Sequence, residues 1–465
     1  MTLEEFWEIR FDEDNVLEHY DGVKALFSKP LEEEIPENYD TVYPLLDIKG
    51  SLKNLNEYVR IEEFIQILKA HHPVAYKSVF YYYRASLTEH YLYENNREGL
   101  ERCVEDFVEM PIEGYDKMLR ALRQMQVYGH IDLVDELICG IYDTVVVSDE
   151  LSQGAAFDLA LIKSHIELEK VYANYKKTGT FDWDEYNKTI PKFGFETEGT
   201  FLKLCETGLS GSPDAIEERI RAGFDENKDI CVEILEKAFM KYMLDEKEMP
   251  FALSAYIWNY LYKYWEEKEI YDEEVFYDIE TYFNYHAEAY RNFLRKYSGF
   301  VMDYRFSAVA LLWGICYVYD FLKALNFITN TEYEDVQKAV NEYKYDLIYE
   351  NLSLLSQYSF VNDWKKSDME TSEDKQKISA IFDEYRDAPN KKIQADQRGH
   401  FFSSAPTHSS RLAPSANTVY RPIIAKPKIG RNEKVTVEYK DGTIKKDVKY
   451  KKVKTDVEME KCKII

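Results

Sequence analysis

Glycine and proline are scarce in this chain, with 18 and 13 among 465 residues. Strand-like alternation of β-branched and polar residues is nearly absent before residue 430. Because most of the remaining residues are good helix formers, the composition predicts an all-α body. The length is sufficient for two or three domains, each with a sizeable core.

The sequence also lacks the short motifs of several enzyme classes. It has no GxxxxGKS or GxxxxGKT phosphate loop, no GxGxxG turn after a strand and no HExxH pair, so nucleotide hydrolysis and dinucleotide binding have no support. The six cysteines show no CxxC pair or metal spacing, and five lie on apolar faces of predicted helices. We therefore expect small core residues in a reducing compartment, no metal and no cofactor.

Long hydrophobic runs are missing as well. The most apolar stretch, residues 306–319, is flanked by charged residues and falls short of the roughly 18 to 20 residues that a bilayer span requires. Glu4, Glu5 and Glu8 stand where a secretory signal peptide needs positive charge. We expect a buried helix at 306–319, no membrane span and a cytoplasmic protein.

Positive charge is sparse in most of the chain and concentrated at its end. Residues 391–465 carry 18 Lys and Arg against 8 Asp and Glu, a net charge of +10, whereas residues 1–390 carry 41 against 77, a net charge of −36. An acidic body repels nucleic acid and anionic membranes, while a basic tail can reach an acidic partner, RNA or the body itself. We expect no DNA partner.

Apolar positions between residues 76 and 142 recur at a spacing of 34 residues. The matching sets are Ala85, Leu87 and Tyr91 with Leu119, Ala121 and Met125, and Leu100, Val104 and Phe107 with Val134, Ile138 and Ile141. The spacing resembles that of the two-helix tetratricopeptide repeat, although the Trp, Gly and Pro positions of that class are not filled as a set. The pattern predicts a helical-repeat domain in residues 1–176, and the alternative is an irregular antiparallel helix bundle.

Glycine and proline cluster once within the body, at residues 177–225, which predicts a domain junction. Residues 226–389 then carry long helical patterns, among them 272–297 and 300–327, and are rich in Tyr, Trp and Phe. Exposed rings can form a groove for an extended ligand. We favour the other interpretation, a helical core whose phenol oxygens turn to water or to carbonyls.

The composition changes again at residue 390. Residues 390–428 are rich in Ser, Ala, Pro and Thr without apolar periodicity, which predicts a flexible linker. Residues 429–465 follow with a period of two on both sides of an Asp-Gly turn, the pattern of a β-hairpin. A helical turn at 453–460 and an end strand at 462–465 complete a predicted, very small α+β hairpin module.

The run Lys-Ile-Gly-Arg-Asn-Glu at residues 428–433 resembles the start of the SEC-C motif, which ends the SecA preprotein translocase and many bacterial helical proteins. The zinc-binding cysteines of that family are missing, because residues 434–437 read Lys-Val-Thr-Val and Val453 occupies the place of a later cysteine. One thiol, Cys462, cannot make a four-ligand zinc site. The resemblance implies a metal-free relative of the motif in a bacterial cytoplasmic protein.

The basic tail supplies the candidate binding residues. They are Gly430, Arg431, Asn432, Lys449, Tyr450, Lys451 and Lys452. For an RNA partner, Tyr450 is available to stack on a base, and the lysines that can neutralise phosphates are Lys445, Lys446, Lys449, Lys451, Lys452 and Lys454.

Histidines beside carboxylates are the remaining candidates for chemistry in the body. The patterns are His71 beside His72, His165 with Glu169, and His286 with Glu280 and Glu288. On one continuous helix, the six-residue separation of Glu280 and His286 misaligns them. We interpret all three patterns as structural, in caps, in the core or on the surface.

These observations favour a non-enzymatic adaptor that binds protein partners, with a tethered basic tail that recruits a partner or docks on the acidic body. The alternative is an RNA- or ribosome-associated factor that acts through the tail. A third hypothesis is an enzyme with an unfamiliar helical active site.

Overall fold

The computed structural model describes residues 1–31, 39–195, 197, 199–268, 279–298, 305–350, 360–386, 434–439, 443–449 and 461–464. The chain divides into two compact units, Met1–Ser410 and Arg411–Ile465. The described part of the first unit is helical, and that of the second is a small antiparallel sheet. The prediction of a mainly α protein with a small C-terminal hairpin module is confirmed. The predicted linker, 390–428, lies outside the described residues.

Nine helices are described in the N-terminal part of the first unit. They are α1 (Leu3–Glu8), α2 (Val16–Phe27), α3 (Tyr39–Asn54), α4 (Tyr58–His71), α5 (Pro73–Tyr93), α6 (Arg97–Glu109), α7 (Tyr115–Val127), α8 (Ile131–Val146) and α9 (Gln153–Thr178). Pro73 stands at the first helical position of α5, where no backbone donor is needed. Gly179 ends α9 with a φ of 75°, a left-handed conformation that glycine adopts without strain.

Further helices follow in the same unit, beginning within the predicted junction. They are α10 (Asp184–Thr189) with a 3-10 turn (Ile190–Phe193), α11 (Gly199–Ser210), α12 (Pro213–Gly223), α13 (Lys228–Lys247), α14 (Phe251–Lys268), α15 (Ile279–Tyr282), α16 (Ala287–Ser298), α17 (Arg305–Ala324), α18 (Asn330–Glu350), α19 (Phe360–Asp363) and α20 (Ser372–Arg386).

Helices α5 to α8 form two stacked hairpins. Helix α5 packs on α6 within the first hairpin and on α7 of the second, while α6 packs on α8. Of the twelve residues of the 34-residue pattern, eleven are buried and Leu119 is partly buried. The offset therefore marks equivalent core positions, and relation to the tetratricopeptide class stays a prediction.

The second half of the body is built around α17, which packs against α13, α14, α16 and α18. The prediction that the apolar stretch at 306–319 is too short to span a bilayer was wrong, because the apolar helix continues to Ala324. Its 19-residue window Phe306–Ala324, with a mean hydropathy of 1.3, is long and apolar enough to cross a membrane by length and composition alone. Within the structure 94% of that window is buried, as in a core helix.

Aromatic side chains of this half form a core, as we favoured. Tyr256, Trp258, Trp265 and Tyr290 are each at most 3% exposed. Several phenol oxygens turn to carbonyls, which satisfies the hydroxyl without water. Such hydrogen bonds join Tyr290 to the Leu311 carbonyl at 3.0 Å, Tyr319 to that of Phe283 at 2.7 Å and Tyr317 to that of Lys365 at 2.7 Å.

The predicted continuous helix over 272–297 is wrong within its described part. Helix α15 ends at Tyr282 and α16 begins at Ala287. The buried ammonium of Lys268, at the end of α14, donates hydrogen bonds to the carbonyls of Tyr282 at 3.0 Å and Asn284 at 2.7 Å. A cation at the carbonyl end of a helix satisfies acceptors that have no helical partner, so Lys268 stabilises the break.

Residues 360–371, which we call the strap, run from α19 to the start of α20 and tie the two halves together. The Trp364 indole donates to the carbonyl of Val127, the last residue of α7, at 3.2 Å. The Asp368 amide donates to the Asp320 carboxylate of α17 at 2.8 Å, and the buried Lys344 ammonium of α18 binds Glu370 at 2.6 Å.

Cysteine placement follows the prediction with one exception. Cys103, Cys205, Cys231 and Cys316 are buried and free, whereas Cys139 is exposed. The prediction that all five body cysteines are core residues was therefore wrong for Cys139. It lies one turn after Asp135 on a face of α8 that packing leaves open.

The sheet of the second unit has the strand order β2-β1-β3. Its strands are β1 (Lys434–Tyr439), β2 (Ile444–Lys449) and β3 (Cys462–Ile464), all antiparallel to their neighbours. The predicted hairpin and end strand are present, and the predicted helical turn at 453–460 lies outside the described residues.

Replacing Gly208 by alanine should destabilise the helical body. A Cβ atom on Gly208 of α11 would lie 2.7 Å from the Ile234 carbonyl oxygen, and backbone of α13 cannot move aside. We expect a loss of about 2 kcal/mol, as for overpacked cores. Gly50→Ala is the matched control, because nothing lies within 4 Å of the added atom and α3 gains helix propensity, which should raise stability by about 1 kcal/mol. Equal urea midpoints for Gly208→Ala and the unaltered protein would contradict this account.

Stability should also depend on pH through the strap. Burial raises the pKa of Asp320 to about 6, and hydrogen bonds from Tyr333 and the Asp368 amide only partly oppose this. The folded chain then holds a proton that the unfolded chain has released, so ionisation of Asp320 lowers the free energy of unfolding as pH rises from about 4 to about 6, by about 2 to 3 kcal/mol.

Asp320→Asn removes this titration. Urea unfolding of both proteins at a series of pH values should show the stability of the unaltered protein falling relative to the variant across that window. A constant difference would count against the assignment.

Candidate functional site

The sheet unit has one buried side chain among its described residues, Val437 in the central strand β1. Opposite Val437 in β2 lies Lys445, and a register shift between Val435 and Val437 marks an irregularity in this ladder. The ammonium of Lys445 lies 4.7 Å from the centroid of the Tyr439 ring, a cation–π contact. Ile444, Lys445 and Lys446 are exposed, so β2 presents both cationic and apolar groups to solvent.

Of the predicted tail residues, one lies in a described strand. Lys449 is the last residue of β2 and pairs with Lys434 across the ladder. The others, Gly430, Arg431, Asn432, Tyr450, Lys451 and Lys452, lie outside the described residues. Within the described part of the sheet unit, the lysines with exposed side chains are Lys445, Lys446 and Lys461, and the RNA hypothesis names the first two.

Buried ion pairs link consecutive helices of the N-terminal half. The Arg84 guanidinium of α5, with 0% exposure, binds Glu62 of α4 at 2.7 Å and also binds Asp106 of α6. Lys69 of α4 adds a third contact, to Asp106 at 2.8 Å. Each charge in this group has an opposite charge within reach, so the group acts as an internal tie between helices.

A second group crosses α3, α5 and α7, and we call it the lysine cluster: Lys49, Lys53, Glu89, Lys117 and Arg120. Glu89 lies at its centre, 2.7 Å from Lys53, and it also binds Arg120. Burial alone would raise the pKa of Glu89, but the charges of Lys53 and Arg120 outweigh it and lower the pKa to about 2. Glu89 is therefore ionised throughout the physiological range.

Burial, and then like-charge repulsion from Lys53, Lys117 and Arg120, lower the pKa of Lys49 to about 8, and the carboxylate of Glu89 opposes this shift. Lys49 has no hydrogen bond or ion pair to any other described residue. The lysine cluster thus concentrates positive charge on a body that is strongly acidic as a whole.

His286, His72 and His165, which the sequence analysis named, contact the protein in structural roles. His286 precedes α16, and its Nδ1 accepts a hydrogen bond from the Ala289 amide at 3.1 Å, which caps the helix. The prediction that Glu280 and His286 are misaligned on one helix is wrong in its premise, because Glu280 lies in α15 and His286 precedes α16. His72 neither caps α5 through its side chain nor faces solvent, because it is 8% exposed and its Nε2 lies 2.9 Å from the Phe27 carbonyl.

His165 lies in a buried charged group that sequence reasoning missed. Its Nε2 is 3.8 Å from Glu236 of α13, whose other oxygen binds Lys237 at 2.6 Å. Burial, and then the charges of Lys237 and Arg123, hold the pKa of His165 well below its usual range, so the imidazole is neutral at pH 7. The side chain is 4% exposed, which leaves no path for a substrate without repacking.

Among the residues that the structure describes, no group of three or more His, Cys, Asp or Glu is arranged to hold a metal ion. Two open depressions, of about 420 and 570 Å³, lie beside the start of α20 and beside α1 and α2. Neither depression is lined by His165 or by a member of the lysine cluster.

Comparison with known proteins adds no relative. No family model matches the chain, and no curated protein or solved structure matches it either.

Proposed function

We propose that the protein is a non-enzymatic adaptor of the bacterial cytoplasm, in which a helical body and a tethered basic sheet unit bind separate partners. The observation that carries the proposal is the exposed pair Lys445 and Lys446 on β2, an outer strand of a unit distinct from the acidic body. Exposed charge on a small unit favours recognition of a partner of opposite charge. The stacked hairpins of the body offer an extended surface, and helical-repeat proteins bind their partners on surfaces of that kind.

Packing in the body also supports a role in binding. Three histidines of the described body have structural roles: His286 caps a helix, His72 is buried against a carbonyl, and His165 is buried and neutral. General acid–base catalysis needs a titrating group that reaches substrate. Arg84 and Arg120 are instead engaged in ion pairs between helices, and Lys344 in an ion pair with the strap.

Charge reversal on β2 should remove tail-dependent partners. We expect Lys445→Glu/Lys446→Glu to lose a set of proteins that the unaltered chain retains after crosslinking and purification from native cells. Lys177→Glu/Lys203→Glu is the matched control, since both of its lysines are exposed on the helical body and it changes the net charge equally. Identical partner profiles for the two double variants would contradict the proposed role of the sheet unit.

RNA or ribosome binding is the second candidate, because the same exposed lysines can neutralise phosphates. If it is correct, the full chain binds an unstructured RNA oligonucleotide, and log K falls steeply with log salt concentration. Lys445→Glu/Lys446→Glu should then reduce that slope by about 1.4, which corresponds to two phosphate contacts on a single strand. Absence of RNA binding at low salt would exclude this candidate and leave the protein-binding proposal standing.

A further inference from the structure

The lysine cluster is an anomaly of charge within the helical body. Residues 1–390 carry 77 Asp and Glu against 41 Lys and Arg, yet four cations lie near one another on α3 and α7. Gathering like charges opposes folding unless counter-charges compensate for it. Such an arrangement is typical of a surface that meets an anion.

Glu89 does not supply the missing counter-charge for Lys49. Its two oxygens already bind Lys53 and Arg120, and the Gln124 amide lies 3.4 Å from one of them. Lys49 is on the same helix as Lys53, one turn before it, and its side chain is neither fully buried nor fully exposed. It is therefore the cation of the cluster that a ligand can reach and that no described residue pairs.

Aromatic rings lie beside cations of the cluster. The Tyr58 and His90 rings are stacked, with centroids 4.0 Å apart and planes 2° from parallel, and Tyr58 interacts electrostatically with Lys53 and Glu89. The Lys117 ammonium lies 5.8 Å from the centroid of the Tyr82 ring. The three rings and the Lys117 side chain are partly exposed. Rigid rings beside cations suit an extended peptide chain, whose backbone and side chains can pack on them.

We propose that the surface formed by α3, α5 and α7 binds an acidic peptide segment, with Lys49 as the cation that meets a carboxylate of that segment. The inference rests on the proposed function, since it names the chemistry of one partner of the helical body. Charge complementarity selects an anion, and the acidic remainder of the body disfavours a long polyanion such as RNA, which would extend beyond the cluster.

The direct test is a fluorescence anisotropy titration of the full chain with a labelled oligoglutamate, and with an oligoglutamine of equal length. We expect oligoglutamate to bind and oligoglutamine not to bind. Lys49→Gln should weaken the binding of oligoglutamate about fivefold, as for loss of a partly buried charge pair. Lys177→Gln is the matched control: it removes an exposed lysine of α9 and changes the net charge equally, and it should alter affinity by less than about 1.5-fold.

A pH series provides a readout that a merely structural role of Lys49 would not give. The groups that face it are Lys53 on its own helix, Glu89 on α5, and Lys117 and Arg120 on α7. Because the pKa of Lys49 is about 8, affinity should fall between about pH 7 and pH 9, by about threefold to fivefold, which is at most the loss expected for Lys49→Gln. Lys49→Arg keeps its charge over this range, so its affinity should stay constant.

Three results of these experiments, and a fourth from competition with phosphate, would overturn the inference. They are a Kd above about 1 mM for oligoglutamate at low salt, an equal loss of affinity in Lys49→Gln and Lys177→Gln, and the same pH dependence in the unaltered protein and Lys49→Arg. Competition by inorganic phosphate at equal carboxylate and phosphate concentrations would likewise overturn it, in favour of a general anion site.

The inference and the proposed function fail in different experiments. Variants of β2 leave Lys49 in place, and the peptide titration leaves the sheet unit in place. Loss of tail-dependent partners together with no oligoglutamate binding would retain the adaptor and reject this site.

Discussion

The charge of Arg84 has to be neutralised inside the helical body, and the N-terminal half is arranged around that requirement. The guanidinium is fully buried between α4, α5 and α6, where it binds Glu62 and Asp106. Leaving such a charge without its partner costs about 3 to 5 kcal/mol, which is a large part of the stability of a domain. The three helices can therefore pack closely only in the register that brings both carboxylates to Arg84. Apolar contacts alone tolerate several registers, since they are not directional.

Ion pairs and hydrogen bonds also connect the later helices of the N-terminal half to one another and to the second half. Glu89 joins α5 to α3 and α7 through Lys53 and Arg120, while the strap joins α17 and α18 to the end of α7. The second half adds phenol-to-carbonyl hydrogen bonds, as between Tyr290 and Leu311. In both halves, hydrophobic burial supplies the driving force for packing, and directional polar contacts select one arrangement of it.

The helical class, the 34-residue offset and the aromatic core could be predicted because each leaves a local or periodic pattern in the chain. Residues one repeat apart occupy the same side of successive helices, so apolar character recurs with them. The break between α15 and α16 leaves no such pattern, because Lys268 stabilises it from another helix. Burial of His165 depends on Glu236 and Lys237 of α13, about 70 residues away along the chain, and spacing arguments reach only one or two turns.

The lysine cluster could not be predicted from the sequence for a related reason. Its cations lie on α3 and α7, far apart in a sequence whose average charge there is negative, so composition conceals them.

The charge around the lysine cluster affects which ligand the proposed site selects. At physiological ionic strength, interactions between exposed charges decay over about 8 Å. A short acidic segment in contact with Lys49 feels mainly the cluster, whereas a long polyanion also meets the acidic surface around it. Under this proposal, the negative charge of the body limits which anions the site admits.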